Sequence, residues 1–307
     1  MRIIQIIFGI VTVLFLILNI VSVYFLHVAL ARIPAKKEYQ PIYKKNEAPY
    51  SYQQKWNTYK PELWTIETAD HLKLVADYLP AEKQTNKTVV LAHGWHISRK
   101  YMGTYGEMFH QMGYNVLVPD ERGAGQSDGK WYGFGWQDRL DYLKWFDLIN
   151  KKIPNGQIAM LGISMGAAAT LMTSGEKLPE NVKALIADSA FTSVKDQFTE
   201  VLKKSYHLPA FPIINYASFL SKHIVGYSFD EASTIKQVQK NKLPILFIAG
   251  DSDSLIPYQN TEKLYQADPN SNKEIWITKN SEHVQSFHDY NEEYVSHVKN
   301  FLDKYFK

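Results

Sequence analysis

The stretch Leu161-Gly-Ile-Ser-Met-Gly166 sets Ser164 between two glycines at G-x-S-x-G spacing. An apolar run, Gln157-Ile-Ala-Met160, precedes it, and a small-residue run, Ala167-Ala-Ala-Thr-Leu-Met172, follows it. A serine on a tight strand-to-helix turn is a nucleophile-elbow pattern. The turn is so tight that side chains at Gly162 and Gly166 would collide with neighbouring strands or helix. The helix that follows favours negative charge at its N-terminus, beside Ser164. A lone G-x-S-x-G is only moderately specific, and a small polar residue in a Gly-rich bend reads the same way.

A serine hydroxyl is a poor nucleophile without a base, and the base needs an orienting acid. On a strand-turn-helix scaffold of this kind the chain order is Ser, then Asp or Glu, then His. Of ten histidines, seven precede Ser164 or fall within 192–242. Among the later ones, His283 follows the last apolar strand in Lys279-Asn-Ser-Glu-His283, whereas His297 sits in a helical pattern. The acid has three candidates. Asp253 lies farther into the Ala249-Gly-Asp-Ser-Asp-Ser-Leu-Ile-Pro257 loop and can turn towards His283, while Asp251 is placed to pin that loop. Asp188, at the end of Val182-Lys-Ala-Leu-Ile-Ala-Asp188, is the alternative from the preceding strand.

Acyl chemistry also needs an oxyanion hole. One backbone N–H follows the nucleophile, from Met165. The second comes from the loop after an earlier strand, where Ala92-His-Gly-Trp95 makes Trp95 the candidate. Gly94 lets the backbone approach the substrate, and His93 braces the loop. No cluster with metal-ligand spacing accompanies it, so no metal and no cofactor is expected. Gly123-Ala-Gly-Gln-Ser-Asp-Gly-Lys130 imitates a phosphate loop, but Ala124 and Trp131 stand where Gly and Ser or Thr are required. A dinucleotide fingerprint from Gly123 fails at Asp128.

The elements that must position these residues alternate. Apolar strands are expected around 63–68, 72–79, 88–95, 114–120, 157–164, 182–191, 243–251 and 273–280, with helices between the later ones and an amphipathic helix closing the chain. That pattern implies a parallel sheet covered on both faces, an α/β fold. About fifty residues, Thr192 to Lys242, interrupt it and read as a helical cap over a pocket.

The chain has 307 residues, 45% of them hydrophobic and 14% aromatic, which is a globular composition with apolar material to spare. A net charge of +3 gives no nucleic-acid footprint. With no cysteine, disulfides, Cys-bound zinc and a thiol nucleophile are excluded. Ile3 to Ala31 carries no Asp, Glu, Lys or Arg. It is long enough to cross a hydrocarbon core of about 30 Å. Its length exceeds the apolar stretch of a cleaved signal, although Ala29-Leu-Ala31 is where a cleavage would fall. The expected division is a transmembrane signal-anchor over 1–31, a Lys-, Tyr- and Pro-rich juxtamembrane tether over 32–60, and a hydrolase domain over 61–307. Arg32, Lys36, Lys37, Lys44 and Lys45 outnumber Arg2, which by the positive-inside rule places the domain in the cytoplasm. A short basic N-terminus ahead of an apolar run is instead the signal-anchor arrangement, and large domains translocate largely regardless of charge. The reading adopted is a single-pass cell-membrane protein with its domain outside the cytoplasm.

Five motifs in this order, Leu91-Ala-His-Gly-Trp95, Asp120-Glu-Arg-Gly-Ala-Gly-Gln-Ser-Asp-Gly129, Gly162-Ile-Ser-Met-Gly166, the Asp251/Asp253 loop and Ser281-Glu-His283, resemble the α/β-hydrolase superfamily. Within it the chain is similar to bacterial membrane-associated hydrolases with serine aminopeptidase-like and prolyl-oligopeptidase-like catalytic domains. The resemblance covers Trp64 to the C-terminus. It implies an eight-stranded, mostly parallel sheet with a cap after the sixth strand. It also implies Ser164 as nucleophile, Asp253 as acid, His283 as base, and Trp95 and Met165 as oxyanion donors. The expected activity is hydrolysis of carboxylic esters with a short or medium acyl group through an acyl-enzyme. A peptidase on short peptides, a thioesterase, an acyltransferase and a non-enzymatic ligand-binding homologue are the alternatives. Dehalogenases and epoxide hydrolases of this fold carry Asp where Ser164 stands. Neither natural substrate nor oligomeric state is legible.

Overall fold

The computed structural model describes residues 1–39 and 43–307, so Gln40, Pro41 and Ile42 of the expected tether lie outside the described residues. The first strands, β1 (Glu62–Glu67) and β2 (Lys73–Leu79), form an antiparallel hairpin at one edge of the sheet. Then β3 (Lys87–Ala92), β4 (Asn115–Pro119), β5 (Gln157–Ile163), β6 (Val182–Asp188), β7 (Ile245–Gly250) and β8 (Lys273–Thr278) follow. They complete an eight-stranded sheet ordered β1-β2-β4-β3-β5-β6-β7-β8. Only the β1–β2 and β2–β4 pairs are antiparallel. The architecture is an α/β-hydrolase fold. Continuous apolar runs in the central strands are buried almost throughout, as a sheet covered on both faces demands.

The helices divide between the faces. One face is covered by α3 (Gly103–Gln111) and α11 (Asn291–Tyr305). Tyr294, Val298, Phe301 and Leu302 of α11 form its buried stripe at helical spacing. The other face is covered by α4 (Asp138–Lys152), α5 (Met165–Thr173) and α9 (Gln259–Ala267). The run Ala167, Ala168 and Ala169 lets α5 lie close against the sheet.

Three helices sit in the segment read as a cap: α6 (Val194–Tyr206), α7 (Ile213–Ile224) and the short α8 (Thr234–Val238). They leave the sheet after β6. The apolar faces of α6 and α7 form a third cluster with Phe134, Met165 and Phe191, whereas Val238 of α8 packs with α4, α5 and α9 on the sheet.

Two findings go beyond the sequence expectations. The stretch 32–60 is not featureless. It carries a helix, α2 (Ala48–Trp56), whose Trp56 lies against Gly103 and Gly106 of α3. Its buried residues are Pro49, Gln53 and Trp56, a face too polar to show as an apolar period. A short helix, α10 (Ser286–Asp289), also precedes α11.

The second finding concerns α1 (Arg2–Leu30). By length and composition it is a candidate membrane span, with mean hydropathy 2.8 over its most apolar window. Its first sixteen residues, 2–17, are exposed, but Ser22, Leu26 and Leu30 are buried against the cap, with Leu18, Phe25 and Ala29 beside them. Asn19 Nδ2 donates to the Tyr216 hydroxyl at 2.7 Å, and Ser22 Oγ to the Ile213 carbonyl at 3.4 Å. The Ala29-Leu30-Ala31 site is built into the fold. Ala31 bridges to Trp131, and the Arg32 guanidinium donates to the carbonyls of Gly125 and Ser127 at 2.7 and 2.8 Å.

Candidate active site

Ser164 occupies the turn between β5 and α5 with φ +54° and ψ −118°, a conformation that L-residues rarely adopt. Two constraints enforce it. A Cβ on Gly162 would fall well inside contact distance of the Gly166 carbonyl, and a Cβ on Gly166 would strike the carbonyls of Ala92 and His93. The Ser164 N–H is held by the Asp188 carbonyl at 2.8 Å. The hydroxyl is thereby raised at the carboxyl edge of the sheet, at the N-terminus of α5.

At that edge β7 and β8 run parallel, with Gly250 opposite Thr278, so the loops that follow them emerge side by side. His283 comes from the second loop and Asp253 from the first. His283 Nε2 lies 2.8 Å from Ser164 Oγ, and its Nδ1 lies 2.7 Å from Asp253 Oδ2. The Asp253 side chain is fully buried, while that of His283 is 21% exposed. The other oxygen of Asp253 accepts the N–H groups of Leu255 and Ile256 at 2.9 and 2.8 Å. Two backbone hydrogen bonds therefore fix the carboxylate independently of the imidazole.

The other two aspartates are occupied elsewhere. Asp251 accepts the Asn280 N–H at 2.6 Å and pairs with Lys279, joining its own loop to that of His283. Asp188 is fully buried, with its oxygens bonded to Ser189 Oγ at 3.0 Å and the Tyr294 hydroxyl at 3.1 Å. Burial pushes its carboxyl up to about 6. It is hydrogen-bonded to neither Ser164 nor His283 through its side chain.

Gly94 and Trp95 follow β3 and lie against the elbow. A Cβ at Gly94 would stand 3.4 Å from the Ser164 Cβ. Neither the Trp95 N–H nor the Met165 N–H has an acceptor among the described residues. His93 is buried beneath this loop. Its Nε2 accepts the Glu121 N–H at 2.9 Å, so its Nδ1 carries the proton and donates to the Gly94 carbonyl at 2.8 Å. Burial lowers its basicity, which keeps it neutral. The loop around Asp120 is held in turn. Asp120 pairs with Arg99, Arg122 with Asp141 and Asp70, and Ser127 Oγ donates to the Asp120 carbonyl. No group of three or more His, Asp or Glu that could hold a metal occurs among the described residues.

A cavity of about 330 Å³ opens over Ser164. Trp95 and Met165 line its floor, Phe198, Leu202 and Tyr206 of α6 and Ile214 and Ala217 of α7 its roof, and Leu255 and Ile256 one side. The remaining wall is α1, through Phe25, Val28 and Ala29. Among the described residues no charged side chain lines it. The sequence reading missed the α1 wall. Its signal is present in hindsight, as Leu18, Ser22, Leu26 and Leu30 recur every fourth residue and two polar residues, Asn19 and Ser22, mark one face of an apolar helix.

This geometry sits in a segment that matches a family model: residues 101–307 fit the prolyl oligopeptidase family. The chain belongs to the prolyl oligopeptidase family. Ser164, Asp253 and His283 all fall inside the matched segment, and Trp95 just ahead of it. This member is 32% identical to YqkD of Bacillus subtilis over 230 residues, 75% of each chain. It is 23% identical to a membrane protein of Saccharomyces cerevisiae over 70% of each chain. Among solved structures an esterase of Pyrococcus furiosus superposes with a TM-score of 0.67 at 24% identity, covering 87% of this chain and 99% of that one. At that identity the likeness shows the α/β-hydrolase fold. The family member described here is an enzyme of the hydrolase class.

Proposed function

We infer that the protein is a serine hydrolase that cleaves carboxylic esters with a short or medium acyl group. The observation that carries this is the unbroken chain Ser164 Oγ, His283, Asp253, opening into an apolar cavity with no charged lining among the described residues. Ser164 Oγ attacks the acyl carbon while His283 Nε2 takes its proton. Asp253 holds the imidazole in the tautomer with Nδ1 protonated and stabilises the imidazolium. The N–H groups of Met165 and Trp95 receive the charge that develops on the carbonyl oxygen, a contribution worth about 10²–10³ in rate per donor. The alcohol leaves with the His283 proton. Water, activated by the same imidazole, then releases the acid.

The peptidase reading is favoured by the family match itself. Against it, an aminopeptidase needs a carboxylate to receive the substrate's α-amine, and the cavity wall offers none among the described residues. We further propose that α1 anchors the protein in the membrane with the domain outside the cytoplasm. Proteolysis of intact cells tests the side, since a protected domain would contradict it.

The deciding experiment uses the full chain in detergent, because removing 1–31 would strip Phe25, Val28 and Ala29 from the cavity. Labelling by a fluorophosphonate is expected to vanish in Ser164→Ala and His283→Ala. A panel of p-nitrophenyl acyl esters and aminoacyl p-nitroanilides then separates the readings. Turnover of the anilides alone would replace esterase by peptidase, and a folded protein that neither labels nor turns over would contradict both.

A further inference from the structure

A membrane anchor has no reason to form a wall of an active site unless the two tasks are connected. Here they are. The last two turns of α1 close the cavity over Ser164, and Phe25 meets Tyr206 of the cap edge-on at 4.6 Å between ring centroids. The same turn reaches the candidate oxyanion loop, since Trp95 Nε1 donates to the Ala29 carbonyl at 2.9 Å.

Depth along the helix gives the second observation. A hydrocarbon core of about 30 Å takes about twenty helical residues. Counted from Arg2, the span ends near Val21, where exposure gives way to burial. Phe25 and Val28 stand one to two turns beyond, at the headgroup layer. The cap reaches past that level, along the end of the span, from its own side. Tyr216 of α7 contacts Asn19 by a hydrogen bond and Phe15 edge-on at 5.9 Å, both of them on the spanning part of α1. Beside it Phe211 and Phe219 are 75% and 57% exposed to solvent. Bulky aromatics presented at the end of a span are what an interfacial surface carries.

We propose that the cavity takes its substrate from the bilayer: a membrane-resident acyl ester with a single medium-length chain, which enters between α1 and the cap helices α6 and α7. This rests on the ester-hydrolase reading above and names its substrate class. The chain lies among Phe25, Val28, Leu202 and Ala217, and the ester carbonyl stands at Ser164. Ser164 Oγ bonds to the acyl carbon, the ester C–O bond breaks, and the departing alcohol oxygen takes the proton from His283 Nε2. Water then cleaves the acyl-enzyme, and the fatty acid leaves by the route by which its chain entered. The anchor fixes the distance between bilayer and nucleophile, so the ester need not pass through water.

The test uses the full chain reconstituted in vesicles of ether-linked phosphatidylcholine, which contains no ester, doped with 1-dodecanoylglycerol. Dodecanoate release is measured beside turnover of soluble p-nitrophenyl acetate. Release that is lost in Ser164→Ala is expected. Val28→Trp, which adds bulk to the α1 wall of the cavity, is expected to lower the ratio of dodecanoyl to acetyl turnover at least tenfold. Phe211→Ser, on the exposed surface of the cap, is expected to slow the vesicle reaction at least threefold more than the same reaction in detergent micelles. Ser164-dependent acetate turnover without dodecanoate release overturns the lipid inference and leaves ester hydrolysis standing, as do ratios unmoved by both variants. No Ser164-dependent turnover of either ester overturns both.

Discussion

The two walls of one cavity are built by different physics. The wall that carries Ser164, His283 and Asp253 is held by strained backbone, close glycine contacts and hydrogen bonds of 2.7–2.9 Å. The wall of α1, α6 and α7 is held mainly by apolar burial, with two polar contacts from Asn19 and Ser22. The first wall has one workable arrangement of atoms. The second has many of similar energy, because volume-conserving apolar exchanges in a packed cluster usually cost less than about 1.5 kcal/mol. Chemistry is therefore expected to reside in the first wall and choice of substrate in the second.

The sharpest break falls on the polar wall. Ser164→Ala and His283→Ala should each lower ester turnover by about 10⁴-fold or more, measured with p-nitrophenyl butyrate on protein with unchanged far-UV spectra. Next, Asp253→Asn should cost about 10³–10⁴ in kcat, because the imidazole loses the partner that fixes its tautomer. Asp251→Asn and Asp188→Asn should each cost less than about tenfold, being bonded elsewhere, so the three variants side by side assign the acid by kinetics.

Asp188 sharpens the comparison in stability instead. Its carboxyl is raised from 3.8 to about 6 by burial. Between those values the folded state holds more protons than the unfolded one, so its contribution falls as pH rises. Above pH 7 the penalty approaches about 3 kcal/mol, from about 1.4 kcal/mol per unit. Asp188→Asn should therefore raise the melting temperature at pH 8 and change it little at pH 4.

The smallest effects belong to the apolar wall. Leu26→Ala should cost about 2 kcal/mol, the low end for a buried leucine with room to relax. It should be read as faster hydrogen exchange in the last two turns of α1. Tyr216→Phe removes the bond from Asn19 and should loosen the same turns by about 1 kcal/mol.

The legibility of the sequence follows the same division. Each of the eight strands stands out as an apolar run, and the cap as an interruption between β6 and β7. Helices α2 and α9 did not stand out, because their buried faces include Gln53 and Thr261. In the site, the elbow and its histidine could be read from spacing and chain order. The aspartate was only narrowed to a preference for Asp253, the carboxylate that meets His283 in the structure, since Asp188, Asp251 and Asp253 all end or follow strands that point to the same edge. No local pattern reports which carboxylate meets an imidazole thirty residues away in the chain.

By itself the sequence determined the alternating α/β plan, the strained turn at Ser164 and the apolar length of α1. All three are legible in short stretches of chain, the turn from the glycine spacing around Ser164 and the other two from runs of hydrophobic residues. Only the tertiary structure decided that Asp253 meets His283 while Asp188 turns to Tyr294, and that Phe25, Val28 and Ala29 close the cavity. Those are contacts between segments far apart in the chain. Their energy comes from surfaces that exist only after the sheet has brought β7 beside β8 and the cap has folded against α1.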